Sequence, residues 1–233
     1  MGRAQLMAMP GDDCRRLRKA ARDLLDGKSD PCVGHMPAAA IDPAFYLPET
    51  QEIFRGIARV RLLDLVAMGR SDLLNALDEC DLLYAPGGNT FVLASRLRQV
   101  DLFEEIKRRI SFGLAYVGFS AGAVLCGLDI LNSQDINAPA TSEFDGLALI
   151  PFSLSVHYPT DPEGIATRDE RIALYHAFRA TPVLALCDDA LLAVDGADSI
   201  VVDGRVWLID VAGRKVALGP GDRPALWAGA PRS

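Results

Sequence analysis

Short apolar runs alternate with amphipathic stretches along the first two thirds of this chain. Residues 60–66, 81–85 and 113–117 are apolar or β-branched runs of strand length, and 5–9 is a weaker one. Between them, 14–25, 72–78, 91–98 and 102–110 set apolar residues at helical spacing against charged ones. Residues 49–56 also suit a helix, whereas 31–48, rich in alanine and proline, gives no more than a strand end and a loop. Strands separated by helices predict an α/β fold: a mostly parallel sheet with helices on both faces.

The last third changes character. Apolar runs at 152–156 and 183–187 predict strands on either side of a helical stretch at 172–178. Short strand candidates follow at 191–194, 199–202 and 206–211, separated by Asp195-Gly196 and Asp203-Gly204. Both dipeptides favour hairpins, so antiparallel strands near the C-terminus are expected to close the sheet. No linker, repeat or low-complexity tract interrupts the pattern, and 1–233 reads as one catalytic domain.

Charge and cysteine usage narrow the function classes. A net charge of −7 without any basic run argues against a nucleic-acid partner. The five cysteines, at 14, 32, 80, 126 and 187, are too far apart for a disulfide framework or a zinc site, which favours a reducing compartment. The apolar stretch within the first ten residues is too short for a secretory signal, and no run reaches membrane-spanning length. A cytoplasmic enzyme is expected, monomeric or homodimeric, without a membrane partner.

Candidate chemistry centres on Gly118-Phe119-Ser120-Ala121-Gly122. It follows a buried strand candidate and precedes a helical run from Ala121, the context in which G-x-S-x-G presents a nucleophilic serine on a strained turn. A serine hydroxyl needs a base, and the base needs an orienting acid. Of His35, His157 and His176, only His157 falls just after a strand candidate; His35 lies in the Ala/Pro-rich loop and His176 in a helical stretch. The strand at 183–187 ends in Asp188-Asp189, and either carboxylate could orient the histidine. Backbone N–H donors for an oxyanion come from Ala121, which follows the serine, and from the Gly87-Gly88 turn. Asn89 or Thr90 could also cap the following helix.

Taken in order, Gly87-Gly88-Asn89-Thr90-Phe91, Gly118-Phe119-Ser120-Ala121-Gly122-Ala123, His157 and Thr167-Arg168-Asp169-Glu170-Arg171-Ile172 resemble the signature of the peptidase E family. These are serine dipeptidases acting on peptides with N-terminal aspartate, and cyanophycinases are relatives. The resemblance runs from about residue 81 to 194. It implies a fold similar to class I glutamine amidotransferases, Ser120 as nucleophile, His157 as base, and no metal or organic cofactor. The family's third member is usually a glutamate before a small-residue turn, and Asp188 matches it one methylene shorter. The resemblance further implies Asn89 and Asp135 at the substrate, Asp135 facing its α-amino group, and Arg168 pairing with the substrate's aspartate side chain.

The expected reaction is therefore hydrolysis of small Asp-Xaa peptides through a Ser-His-Asp/Glu-type triad and an acyl-enzyme. Competing readings are a related serine hydrolase of other specificity (a β-aspartyl or cyanophycin-type peptidase, or an esterase) and a non-catalytic binding protein on the same scaffold. A glutamine amidotransferase is disfavoured, because its nucleophile is cysteine and position 120 is serine.

Overall fold

A computed structural model of the chain describes residues 3–7, 14–44, 46–196 and 198–225. In chain order the elements begin β1 (Arg3–Met7), α1 (Arg15–Leu24), β2 (Cys32–His35), α2 (Leu47–Ile53), β3 (Arg59–Leu62) and α3 (Arg70–Asp78). They continue with β4 (Leu82–Ala85), α4 (Thr90–Gln99), α5 (Phe103–Ser111), β5 (Ala115–Phe119) and α6 (Ala121–Val124). The last are β6 (Ser153–Ser155), α7 (Pro162–His176), β7 (Val183–Leu186), β8 (Leu191–Asp195), β9 (Asp198–Asp203), β10 (Val206–Ile209) and β11 (Lys215–Leu218).

Among the described residues these strands form two sheets. Seven are ordered β3-β2-β4-β5-β1-β8-β9 and four are ordered β11-β10-β7-β6. The first five of the larger sheet are parallel, and β8 and β9 extend it in antiparallel register. In the smaller sheet only β6 and β7 are parallel.

The larger sheet is covered on both faces, as the near-continuous apolar strands require. Successive residues of β4 go to opposite sides. Leu82 and Tyr84 join Leu17, Ala20, Ala21 and Leu24 of α1, while Leu83 and Ala85 join Leu73 of α3, Leu93 of α4 and Ile106 of α5. Each fully buried leucine of this kind contributes on the order of 2–5 kcal/mol, judged by truncation to alanine.

The structure revises several expectations. The strand expected at 60–66 stops at Leu62, because the Asp64 carboxylate accepts from the amides of Val66 and Ala67 at 2.9 and 3.1 Å and turns the chain. The stretch at 31–48 contains a wholly buried strand, β2, and the start of α2. The helix expected at 172–178 begins a full ten residues earlier, at Pro162, capped by Asp161 accepting from Gly164 N. The first strand ends at Met7, and residues 8 and 9 of the expected strand lie outside those described.

The largest correction concerns the C-terminal strands. Asp195-Gly196 connects the antiparallel pair β8–β9, as expected, but Asp203-Gly204 makes no hairpin. At Gly204 the chain leaves the larger sheet and enters the smaller one, where β10 pairs with β7 and β11. Gly204 has φ of +71°, and a Cβ there would stand 2.0 Å from the Asp189 carbonyl oxygen. The crossing therefore presses against the Asp188-Asp189 turn, and a hairpin dipeptide serves a close approach instead.

Candidate active site

Ser120 sits between the end of β5 and the start of α6 with φ 50° and ψ −109°. Such a conformation costs on the order of 1–3 kcal/mol and persists only where the surroundings enforce it. Here they do. The Ser120 amide donates to the Met7 carbonyl at 2.9 Å, and the Tyr116 hydroxyl donates to the Gly122 carbonyl at 2.8 Å. Strand and helix cross so closely that a Cβ on Gly118 would lie 2.5 Å from the Gly122 oxygen. One on Gly122 would lie 2.1 Å from the Ala85 oxygen.

His157 follows β6 in the smaller sheet, and Asp188 follows β7, the parallel neighbour of β6. The serine thus comes from one sheet and its two companions from the other. Ser120 Oγ lies 2.8 Å from His157 Nε2, and His157 Nδ1 lies 2.7 Å from Asp188 Oδ1. A carboxylate only accepts, so Nδ1 carries the proton toward Asp188 and, in the neutral ring, Nε2 accepts from the serine hydroxyl. The side chains of His157 and Asp188 are 38% and 66% exposed, leaving the pair open to a ligand from solvent. Asp189 turns elsewhere: its carboxylate accepts from the Arg205 amide at 3.2 Å and stands 3.5 Å from Arg205 Nε.

The other two histidines are engaged differently. His35 is fully buried, stacks on Tyr84 at 5.8 Å, and has Nδ1 3.4 Å from Thr50 Oγ1. Burial pushes its pKa down to about 4, so it is neutral near pH 7. His176 Nε2 is 3.2 Å from the Thr181 carbonyl at the end of α7, and burial lowers its pKa as well. Cys126 is buried with its thiol on the Gly122 carbonyl, and burial raises its pKa.

The loop after β4 lies directly against the serine. A Cβ on Gly87 would be 3.2 Å from Ser120 Cβ, and Gly88, with φ +130°, passes so near Ala39 that a Cβ would meet its oxygen at 2.5 Å. Ala121, at the first position of α6, has a backbone N–H with no acceptor inside its own helix. These are the two amides expected to face an oxyanion.

Asn89 caps α4: its Oδ1 accepts from Val92 N at 3.0 Å and its Nδ2 donates to the Ile136 carbonyl at 2.9 Å. Asp135 is drawn to the same helix start. All of its side-chain hydrogen bonds among the described residues fall on Oδ2, from Thr90 N, Thr90 Oγ1 and Ser133 Oγ at 2.7–2.8 Å. Arg168 points in a direction that differs from the expectation. Its Nη1 donates to Ser155 Oγ at 2.9 Å and the Val156 carbonyl at 2.8 Å, and its Nη2 to the His157 carbonyl at 3.2 Å. Burial is the main cause of its lowered pKa, followed by the charge of Arg171. Arg171, one turn further along α7, is exposed and donates to the Gln134 side chain in the loop that carries Asp135.

Sequence reasoning missed the wall opposite the histidine. A cavity of about 400 Å³ opens on Ser120, His157, Gly87 and Gly88 and is closed by α2 and the turn before it, within and just beyond the stretch that gave no clear pattern. The helix itself is anticipated at 49–56 and Pro48 marks its start, but neither signal places it beside the serine.

The profile of peptidase family S51 matches residues 8–202 of the chain. A Drosophila melanogaster protein named probable alpha-aspartyl dipeptidase is 34% identical over 142 residues, 58% of this chain and 59% of the relative. Peptidase E of Streptomyces coelicolor is 31% identical over 155 residues, 64% of each chain. The chain thus spans about three-fifths of the length of these curated relatives. A crystal structure of a peptidase from an acI-B1 Actinobacterium aligns with a TM-score of 0.71 over 97% of both chains at 16% identity. One from Listeria monocytogenes EGD-e aligns with a TM-score of 0.70 over 86% of this chain and 98% of that one, at 21% identity. At such identities the structural likeness establishes a shared fold, and with the profile match over most of the sequence the chain belongs to peptidase family S51.

Proposed function

We propose that this protein is a serine dipeptidase that hydrolyses short peptides with N-terminal aspartate, with Ser120 as nucleophile, His157 as general base and Asp188 as the acid that orients it. The observation that carries the reading is the continuous hydrogen-bonded chain from Ser120 Oγ to His157 Nε2 and from His157 Nδ1 to Asp188. Asp189 is committed to Arg205 and takes no part.

In this reading His157 accepts the Ser120 proton as Oγ attacks the first peptide carbonyl. The amides of Gly88 and Ala121 meet the developing oxyanion, and such donors are commonly worth roughly 10²–10³ in rate each. His157 then gives the proton to the leaving amine. Water, activated by the same imidazole, releases aspartate from the acyl-enzyme and restores the serine.

Aspartate preference is supported by the names of the relatives and by the charges around the loop at 133–137. Asp135 keeps Oδ1 for the α-amino group, since its other oxygen is held by Thr90 and Ser133. Because the Arg168 guanidinium is bonded to Ser155 and to two backbone carbonyls, the exposed Arg171 is the better partner for the substrate's side-chain carboxylate. Asn89 contributes by fixing the loop through its helix cap.

The test is hydrolysis of Asp-Leu, Glu-Leu, Asn-Leu, Ala-Leu and β-Asp-Leu by the wild type and by Ser120→Ala. Cleavage of Asp-Leu that disappears in the variant is expected. Turnover that survives in Ser120→Ala would remove the serine from the mechanism, and equal cleavage of Ala-Leu would remove the aspartate preference alone.

A further inference from the structure

The cavity beside the nucleophile has a definite chemical character. Buried Leu17 and Tyr84 and half-buried Phe119 and Ile53 make it largely apolar, and Tyr46 and Glu49, both exposed, stand at its α2 side. Among the described residues that line it, Glu49 is the one carboxylate and there is no lysine or arginine. Its volume, about 400 Å³, lies within the range of pockets that enclose a ligand group. An aspartate side chain placed here would meet a like charge and no cation, and would lose its hydration against apolar walls. Arg171 and Asp135, the cation and the carboxylate assigned to the substrate's aspartate, do not line it.

We infer that this cavity seats the residue that follows the scissile bond, that it selects a large aliphatic or aromatic side chain there, and that Glu49 excludes an acidic one. The inference rests on the aspartyl-dipeptidase reading, because it assigns the acyl residue elsewhere. Ser120 and His157 both line the cavity, so a side chain in it belongs to a residue bonded to the reacting carbonyl or to the amine that His157 protonates. The aspartate being excluded by charge, the amine side is left. Tyr46, Tyr84 and Phe119 offer ring surface to that side chain.

The experiment is a series of Asp-Phe, Asp-Leu, Asp-Ala, Asp-Lys and Asp-Asp, with Phe-Ala and Leu-Ala alongside, on the wild type, Ile53→Trp and Glu49→Lys. Asp-Phe and Asp-Leu are expected to exceed Asp-Ala in kcat/KM by at least about tenfold, the scale of discrimination by an apolar pocket. Ile53→Trp, which fills the cavity, should lower Asp-Phe and Asp-Leu by a factor at least about tenfold greater than it lowers Asp-Ala. Glu49→Lys, an exposed substitution that leaves the helix intact even where the tryptophan does not fold, should raise Asp-Asp relative to Asp-Lys by about fivefold or more. Equal rates across the Asp-Xaa series, or equal loss for all of them in Ile53→Trp, would overturn the leaving-side assignment and leave the aspartyl reading standing. Cleavage of Phe-Ala and Leu-Ala with none of Asp-Phe would place the acyl residue in the cavity and overturn both, as would no hydrolysis of any peptide.

Discussion

Arg168 holds the backbone of His157: its Nη2 donates to the His157 carbonyl at 3.2 Å while Nη1 donates to the preceding Val156 carbonyl at 2.8 Å. His157 has φ of 55°, a left-handed conformation that β-strand continuation would not produce, and the guanidinium stabilises that bend from inside the fold. A third bond to Ser155 Oγ fastens the same guanidinium to β6. This geometry predicts a positioning role for the arginine, exerted through His157. Arg168→Ala is expected to lower kcat by about 10²-fold, the scale of an ångström-sized misplacement of a reacting group, with little change in KM. The loss should be the same for Asp-Leu and for any neutral dipeptide the enzyme cleaves, and Arg168→Lys should recover part of it. A loss confined to aspartyl substrates and carried in KM would instead make Arg168 a ligand for the substrate carboxylate.

Asp188 and Asp189 are neighbours with opposite commitments, one on His157 and the other on Arg205. Replacing the orienting carboxylate of such a triad by its amide removes the acceptor for Nδ1–H and favours the wrong tautomer, at a cost of about 10⁴ in kcat in the serine-protease case. Asp188→Asn should fall by about 10³–10⁴ with the fold intact by circular dichroism. Asp189→Asn should stay within about threefold of wild type, since an exposed pair with Arg205 is worth at most about 1 kcal/mol. Similar losses in the two variants would mean that the turn, and not the Asp188 carboxylate, is what His157 requires.

What could be read along the chain follows from how local each signal is. Ser120 was legible because the strand, the turn glycines and the helix that strain it are contiguous in sequence; the clashes at Gly118 are with Gly122 and Tyr116 of that same stretch, and only those at Gly122 reach another strand, β4. The parallel core was legible because β4 and β5 are unbroken apolar runs. The second sheet was not, because β6 has only three residues and its parallel partner β7 lies beyond a helix of fifteen. Its topology turns on Gly204, whose close approach to Asp189 leaves no local trace. β2 was hidden by Gly34 and His35, which break an apolar run, and Gly34 is demanded by packing: a Cβ there would stand 2.9 Å from Cys80 Sγ. The direction of Arg168 was illegible for a different reason, since two of its acceptors are backbone carbonyls that any sequence would supply.

His35 makes a prediction about acid stability. Its folded pKa, about 4, lies below the ordinary value of 6.5 because burial disfavours the charged ring. The unfolded chain then binds more protons between those two values, so stability is fully present above about pH 6.5 and is lost as pH falls toward 4. A shift of this size corresponds to about 3 kcal/mol over the window. Glu105, held down to about 2 by Arg108 and then Arg109, acts lower, between about 4.5 and 2. Urea midpoints measured from pH 7 to pH 4.5 should fall in the wild type and fall distinctly less in His35→Leu. Parallel curves for the two proteins would show that another group carries the acid sensitivity.

Gly122 tests whether close crossing at the nucleophile turn is a requirement of the fold or only of the site. A methyl group there would stand 2.1 Å from the Ala85 oxygen and 2.8 Å from the Ala85 Cβ, both in the core strand β4, so neither can yield cheaply. Gly27 offers the contrast: it has positive φ, +81°, which Gly122 in α6 does not, and nothing lies within 4 Å of a Cβ built on it. Gly27→Ala should therefore cost only the backbone strain, on the order of 1 kcal/mol. Gly122→Ala carries overpacking of the core, typically about 1–3 kcal/mol and here at the upper end or beyond. For a protein of this length that is a fall in Tm of roughly 6–12 °C, against about 2–4 °C for the control. Because α6 must move away from β4 to accept the methyl, the Ser120 hydroxyl moves with it, and labelling by a serine-directed fluorophosphonate should slow by at least about tenfold at temperatures where Gly122→Ala is still folded. Normal labelling in a destabilised Gly122→Ala protein would mean that the crossing supports the core without setting the position of the serine.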